Sequence, residues 1–116
     1  MIKRVSTRWT KDEAARAMRV SHLIFKGPAF DIRLAPQSSS VARVLIVTPR
    51  KSGNAVKRNL FRRRSRALFA KLALTEGAYD WLIFAKNISD LSFDALHKIF
   101  ITTSSGLSAP SAGMER

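Results

Sequence analysis

The chain has 116 residues, a length typical of one domain, and 46% of them are hydrophobic, enough for a modest core. Twenty-one Lys and Arg face eight Asp and Glu, a formal net charge of +13 whose self-repulsion calls for a polyanion, either a nucleic acid or an anionic membrane. The absence of cysteine excludes disulfides and thiolate metal sites, no run reaches the ~18–20 apolar residues of a membrane span, and the basic start lacks the apolar stretch of a secretory signal, so a cytoplasmic protein is expected.

In chain order, a short helix is expected first, from about Lys11 to Val20. Thr10 and Glu13 have the spacing of a capping box, in which hydroxyl and carboxylate each satisfy a free backbone donor. Trp9 is placed to staple onto Ala14, and Asp12 and Glu13 suit the positive helix start. His22 to Pro36 reads as extended, with a break at Gly27-Pro28. There Phe30, Ile32 and Leu34 alternate with Asp31 and Arg33, the period of a half-buried strand. After the polar turn Pro36 to Ser40, a second strand is expected over Val41 to Thr48. A loop marked by Pro49, Ser52 and Gly53 follows.

Asn54 is a natural N-cap for a long helix to about Leu74. At about 100° per residue, Arg58, Arg62 and Arg66 share one side, with Arg63 near them. Val56, Leu60, Ala67 and Leu74 form one apolar strip, and Phe61, Leu68 and Leu72 a second. Lys57, Arg64 and Lys71 lie between the strips, with stems long enough to snorkel out of a shallow contact. Tyr79 to Lys86 reads as a buried strand, which completes a βαβ unit. Ser92 caps a last helix with Phe93, Leu96 and Phe100 on one face. Beyond it residues 102–116 are rich in Ser, Ala, Gly and Pro and are expected to be a disordered tail, leaving a domain over 1–101.

The charge is concentrated in the middle of the chain. No acid occurs between Ile32 and Thr75, a stretch holding Arg33, Arg43, Arg50, Lys51, Lys57, Arg58, Arg62, Arg63, Arg64, Arg66 and Lys71. A solvated helix face normally mixes both signs, so a localised patch of this kind points to phosphate-backbone binding. Protein-based catalysis finds no support. His22 and His97 lack metal-ligand spacing and read as surface or packing residues, and no glycine-rich phosphate loop is present. Asp90 and Asp94 have no partner that would make an acid–base pair.

The stretch Lys51-Ser52-Gly53-Asn54-Ala55-Val56-Lys57-Arg58-Asn59, continued by Leu60-Phe61-Arg62-Arg63-Arg64-Ser65-Arg66, resembles the signature of the bacterial ribonuclease P protein family. The strand before it, the later run Tyr79 to Lys86, and Leu91-Ser92 with the helix after them fit the same order over roughly residues 8–101. The resemblance implies a small two-layer α+β domain. Its parts would be a central mixed sheet of about four strands, three helices and a left-handed βαβ crossover, a handedness that general rules make rare.

It further implies a non-catalytic protein subunit of an RNA-based endoribonuclease that removes the 5′ leader of precursor tRNA. Phosphodiester hydrolysis and the Mg²⁺ ions would belong mainly to the partner RNA, and the protein would hold no cofactor by itself. The partners implied are the catalytic RNA and precursor tRNA, with no membrane and no protein partner. By position, Arg50, Lys51, Lys57, Arg58, Asn59, Arg62, Arg63 and Arg66 are the RNA-binding residues. Guanidinium groups at i, i+4 and i+8 suit bidentate contact along a folded backbone.

The family's leader cleft lies between the first helix and the sheet, and here it would be lined by Ala15, Arg19, Phe30, Arg33 and Ala85. Ala15, Arg19 and Arg33 occupy positions that are aromatic in the family, so ionic contact through Arg19 and Arg33 would replace part of the base stacking. Leu60 stands in place of the last residue of Arg-Asn-Arg, and Lys57 in place of an apolar residue. A ribosomal or RNA-chaperone protein shares the size and charge but not the signature. A DNA regulator reading the major groove with the arginine helix lacks helix-turn-helix spacing, and a membrane-surface role conflicts with the basic groups that interrupt the apolar strips.

Overall fold

A computed structural model describes residues 8–72, 74 and 77–108. Helix α1 spans Lys11–Val20. Strands β1, His22–Lys26, and β2, Phe30–Pro36, follow as a hairpin. Strand β3, Val44–Val47, leads through a single 3-10 turn at Arg50–Ser52 into α2, Ala55–Lys71. Strand β4, Tyr79–Ala85, and helix α3, Phe93–Ser108, complete the chain.

The four strands form one mixed sheet in the order β1-β2-β4-β3. β1 and β4 each run antiparallel to β2, while β3 runs parallel to β4, so α2 is the crossover of a β3-α2-β4 unit. The period-2 alternation read from β2 sets the two faces. Phe30, Ile32 and Leu34 pair with Ala85, Ile83 and Trp81 and face α2 and α3, where the main core lies. Phe61, Leu68 and Phe69 enter it from α2, and Leu96 and Phe100 from α3. Aromatic rings link the layers: Phe30 to Phe61 at 5.6 Å, Phe69 to Trp81 at 5.9 Å, and Trp81 to Phe100 at 5.3 Å. Ala35 and Leu82 point the other way, and α1 covers them with Ala17.

The capping box of α1 forms as expected: Glu13 N–H donates to Thr10 Oγ1 at 3.1 Å, and Thr10 N–H to Glu13 Oε1 at 3.0 Å. Trp9 also ties the helix to the sheet. Its indole N–H donates to the Val44 carbonyl at 3.1 Å, which ties the start of α1 to the edge strand β3. The Arg43 guanidinium lies 4.1 Å from the centre of the Trp9 ring.

Three element boundaries depart from the sequence reading by more than one residue. β3 starts at Val44 because the amide of Arg43 donates instead to Asp80 Oδ1 at 2.8 Å, leaving the strand ladder for a buried carboxylate. α2 ends at Lys71, with Leu72 as its cap. α3 runs on to Ser108, past the expected boundary at 101; residues 109–116 of the expected tail lie outside the described residues. Of the two apolar strips of α2, the strip of Phe61, Leu68 and Leu72 packs on the core, joined by Phe69. Of the other strip, Val56 is 74% exposed and Ala67 is exposed as well, Leu60 is half-buried, and Leu74, beyond the end of the helix, packs against the core.

Candidate nucleic-acid interface

The buried stripe of α2, Phe61, Ser65, Leu68 and Phe69, fixes how the helix sits on the sheet and therefore which cations reach solvent. Asn54 caps it, its side-chain oxygen accepting from Lys57 N–H at 2.8 Å. The preceding turn is held from inside. The buried Ser52 hydroxyl donates to the Pro49 carbonyl at 2.6 Å, and the Ile88 amide donates to the Ser52 carbonyl at 3.0 Å. Arg50 and Lys51 are left exposed on that turn.

Along the side of α2 nearest the end of β3, two arginines are anchored. Arg58 Nε donates to the Gly53 carbonyl at 3.0 Å. Arg62 donates through one terminal nitrogen to the Thr48 hydroxyl and through the other to the Asn59 side-chain oxygen. Arg63, Arg66 and Lys57 project into solvent. All eight RNA-binding candidates thus lie on the turn and the stretch of α2 up to Arg66, and no carboxylate among the described residues forms an ion pair with any of them. Neutral partners hold Arg58 and Arg62 in place while their positive charge stays uncompensated. Such pre-ordered guanidinium groups lose less freedom when they bind phosphate.

Arg43, although part of the acid-free stretch, is not on this surface. It is 3% exposed, with one terminal nitrogen donating to the Arg8 carbonyl at 2.8 Å and to Glu13 Oε1 at 3.2 Å. The other terminal nitrogen donates to Ser38 Oγ at 3.2 Å. This arginine cross-links the start of α1 to the loop before β3.

The five cleft candidates do not come together. Phe30 and Ala85 are paired across β2 and β4 and are buried beneath α2, because even-numbered β2 residues face that side. Ala15 and Arg19 are each two positions from Ala17, the residue of α1 that meets the sheet. A rotation of about 200° puts both on the outer surface of the helix. Only Arg33 sits on the α1 face of the sheet, where its Nε donates to Ser21 Oγ at 2.7 Å and a terminal nitrogen to the Ser21 carbonyl at 3.1 Å.

On the same face lies Phe84, half-buried against the Ala17–Leu82 cluster, opposite Asp31 in the β2–β4 register. Asp31 in turn pairs with Lys86 at 2.9 Å. Phe84 was missed because Trp81 to Ala85 reads as one apolar run; a strict alternation through Leu82 would have assigned it to this face.

Comparison with known proteins agrees with the order of these elements. The family model for ribonuclease P matches residues 8–105. No curated protein matches the chain. The fold is similar to that of the RNase P protein from Staphylococcus aureus, with a TM-score of 0.72 at 19% identity over 86% of this chain and 93% of that one. It is also similar to the RNase P protein from Thermotoga maritima, with a TM-score of 0.67 at 15% identity over 87% and 94% of the two chains.

Proposed function

The chain belongs to the ribonuclease P protein family, and from that premise we propose how it serves as the protein subunit in 5′-end maturation of precursor tRNA. The exposed cations of the turn and α2, Arg50, Lys51, Lys57, Arg58, Arg62, Arg63 and Arg66, contact the backbone of the catalytic RNA, with Asn59 as a neutral hydrogen-bonding partner among them. The observation that carries this reading is the family match through this whole surface, on a helix whose arginines are unpaired by any described carboxylate. By lowering the repulsion between two polyanions, the protein lets the catalytic RNA hold precursor tRNA at a lower concentration of divalent cation.

Hydrolysis is the work of the RNA in this reading. Mg²⁺ would be held by RNA phosphates, and a cationic protein surface beside them supplies diffuse positive charge without competing as a ligand. The single-stranded leader would run over the α1 face of the sheet, where Phe84 offers a ring and Arg33 and Lys86 offer charge. None of the described helices is long and apolar enough to cross a membrane, and we place the protein in the cytoplasm with its RNA partners.

The test is reconstitution with the ribonuclease P RNA of the same organism at low Mg²⁺. Cleavage of precursor tRNA at the mature 5′ end, faster than with the RNA alone and absent with the protein alone, is the expected result. Tight, salt-sensitive RNA binding without any stimulation would instead assign the protein to a ribosomal or chaperone role.

A further inference from the structure

α2 carries a second surface, which shares only Lys57 with the cations assigned above. Leu60 and Arg64 follow one another at i and i+4, on the flank of α2 that meets the segment leading into α3. Beside it a cavity of about 160 Å³ opens between α2 and the segment leading into α3, with Leu60, Phe61, Ile88, Leu91 and Leu96 as its apolar lining. Lys57, Arg64 and Ser92 form its polar edge.

At its mouth the Arg64 guanidinium lies 5.4 Å from the centre of the Phe93 ring, which is 37% exposed and packs against His97 at 5.7 Å with the rings inclined by 35°. Among the described residues neither Lys57 nor Arg64 pairs with a carboxylate, and the nearby Asp90 and Asp94 are turned to solvent.

We propose that this α2–α3 groove receives one unpaired nucleotide of the same RNA that the Arg58–Arg66 side of α2 binds. The base enters between Leu60 and the Phe93–Arg64 pair, and its phosphates meet Lys57 and Arg64. An apolar floor with cations at the edge and aromatic and guanidinium planes at the mouth matches a nucleotide, which has a flat uncharged part and a charged part. A duplex cannot use it, because its bases are stacked inside. The groove is continuous with the cationic side through α2 itself, so an RNA already docked there brings its neighbouring nucleotides within reach. The inference rests on the RNA-binding reading of α2 and adds what the RNA must present: a base free to leave its stack.

The test uses the full chain and two fluorescein-labelled hairpin RNAs that differ only by one bulged uridine in the stem, with affinities from anisotropy. The protein should prefer the bulged RNA by about tenfold, the scale of one base–aromatic stack. Phe93→Ala should bring that preference to near unity while leaving affinity for the fully paired hairpin unchanged. Arg64→Lys, which keeps the charge but loses the plane, should do the same. Thermal melts of both variants establish that they fold. With 5-iodouridine at the bulge, photocrosslinks should map to the peptide holding Phe93 and His97.

No preference for the bulge, or a preference that survives both substitutions, overturns the proposal, and so does a crosslink confined to β4. Displacement of an acidic peptide from the groove with RNA affinities unaffected would assign it to a protein partner instead. If Arg58→Ala and Arg66→Ala weaken both hairpins while no bulge preference exists, only the groove is refuted. If those two substitutions change nothing, the RNA-binding reading of α2 fails as well.

Discussion

Asp80 accepts the backbone amide of Arg43 through one carboxylate oxygen at 2.8 Å, and through the other the amide and hydroxyl of Ser38 at 3.3 and 3.2 Å. It is fully buried at the start of β4, and the Trp81 amide donates back to the Arg43 carbonyl at 2.9 Å. One side chain therefore holds the β2–β3 loop, the entry to β3 and β4 together. Asp80→Ala strands three donors, two of them backbone amides, and should cost on the order of 3 kcal/mol. Urea unfolding should show a lower midpoint with an unchanged slope.

Glu13 joins the same cluster from α1. Its pKa is lowered from the ordinary 4.5, chiefly by the Thr10 amide it accepts and then by the Arg43 guanidinium. A group whose pKa is depressed on folding contributes stability that is present above its unfolded value and lost as pH falls through the folded one. Wild-type protein should therefore lose stability on acidification below about pH 4.5. Glu13→Gln should melt at a lower temperature than wild type at pH 7, and the gap should narrow as the pH falls below about 4.5. A gap that stays constant across that range would show that the carboxylate charge does nothing for the fold.

The Ser65 hydroxyl is buried on the core side of α2 and has no hydrogen-bond partner in the structure. Ser65→Ala removes an unsatisfied polar atom and places a better helix former in a helix interior. A stabilisation of about 1 kcal/mol is expected, read as a higher melting temperature with RNA affinity unchanged.

Wherever local chemistry decides an element, the sequence was enough to place it. Thr10 with Glu13, Asn54 and Ser92 each satisfy helix-start donors within three residues, and the helices start where those residues put them. The alternation of β2 set the faces of the sheet, and the arginine-rich signature identified α2 as the cationic helix.

What was hidden depends on contacts far apart in the chain. Arg43 counts as one more cation in an acid-free run, and only the approach of Trp9, Glu13 and Ser38 makes it a buried cross-link. The cleft residues were assigned by position in a family pattern, which carries no information on which way α1 is rolled. Ala17 turned toward the sheet sends Ala15 and Arg19 outward. The two apolar strips of α2 were indistinguishable by period, and the choice between them was made by Phe69 meeting Trp81 across the core.

The arginines of α2 make separable predictions because they are held differently. Arg66 is exposed, with no hydrogen bond or ion pair to a described residue, so Arg66→Ala should subtract one phosphate contact and nothing else. The slope of log affinity against log salt should fall by about 0.7–0.9, with the unfolding midpoint unchanged. Arg62 also joins Thr48 at the end of β3 to Asn59 on α2, so Arg62→Ala should lower the slope by a similar amount and destabilise the protein by about 0.5–1 kcal/mol. Arg43→Met is the contrasting case: a buried guanidinium reaches no phosphate, so the salt slope should stay that of wild type even though the fold is perturbed. Equal slope changes for all three would mean that the salt dependence reports overall charge and not the face that α2 presents.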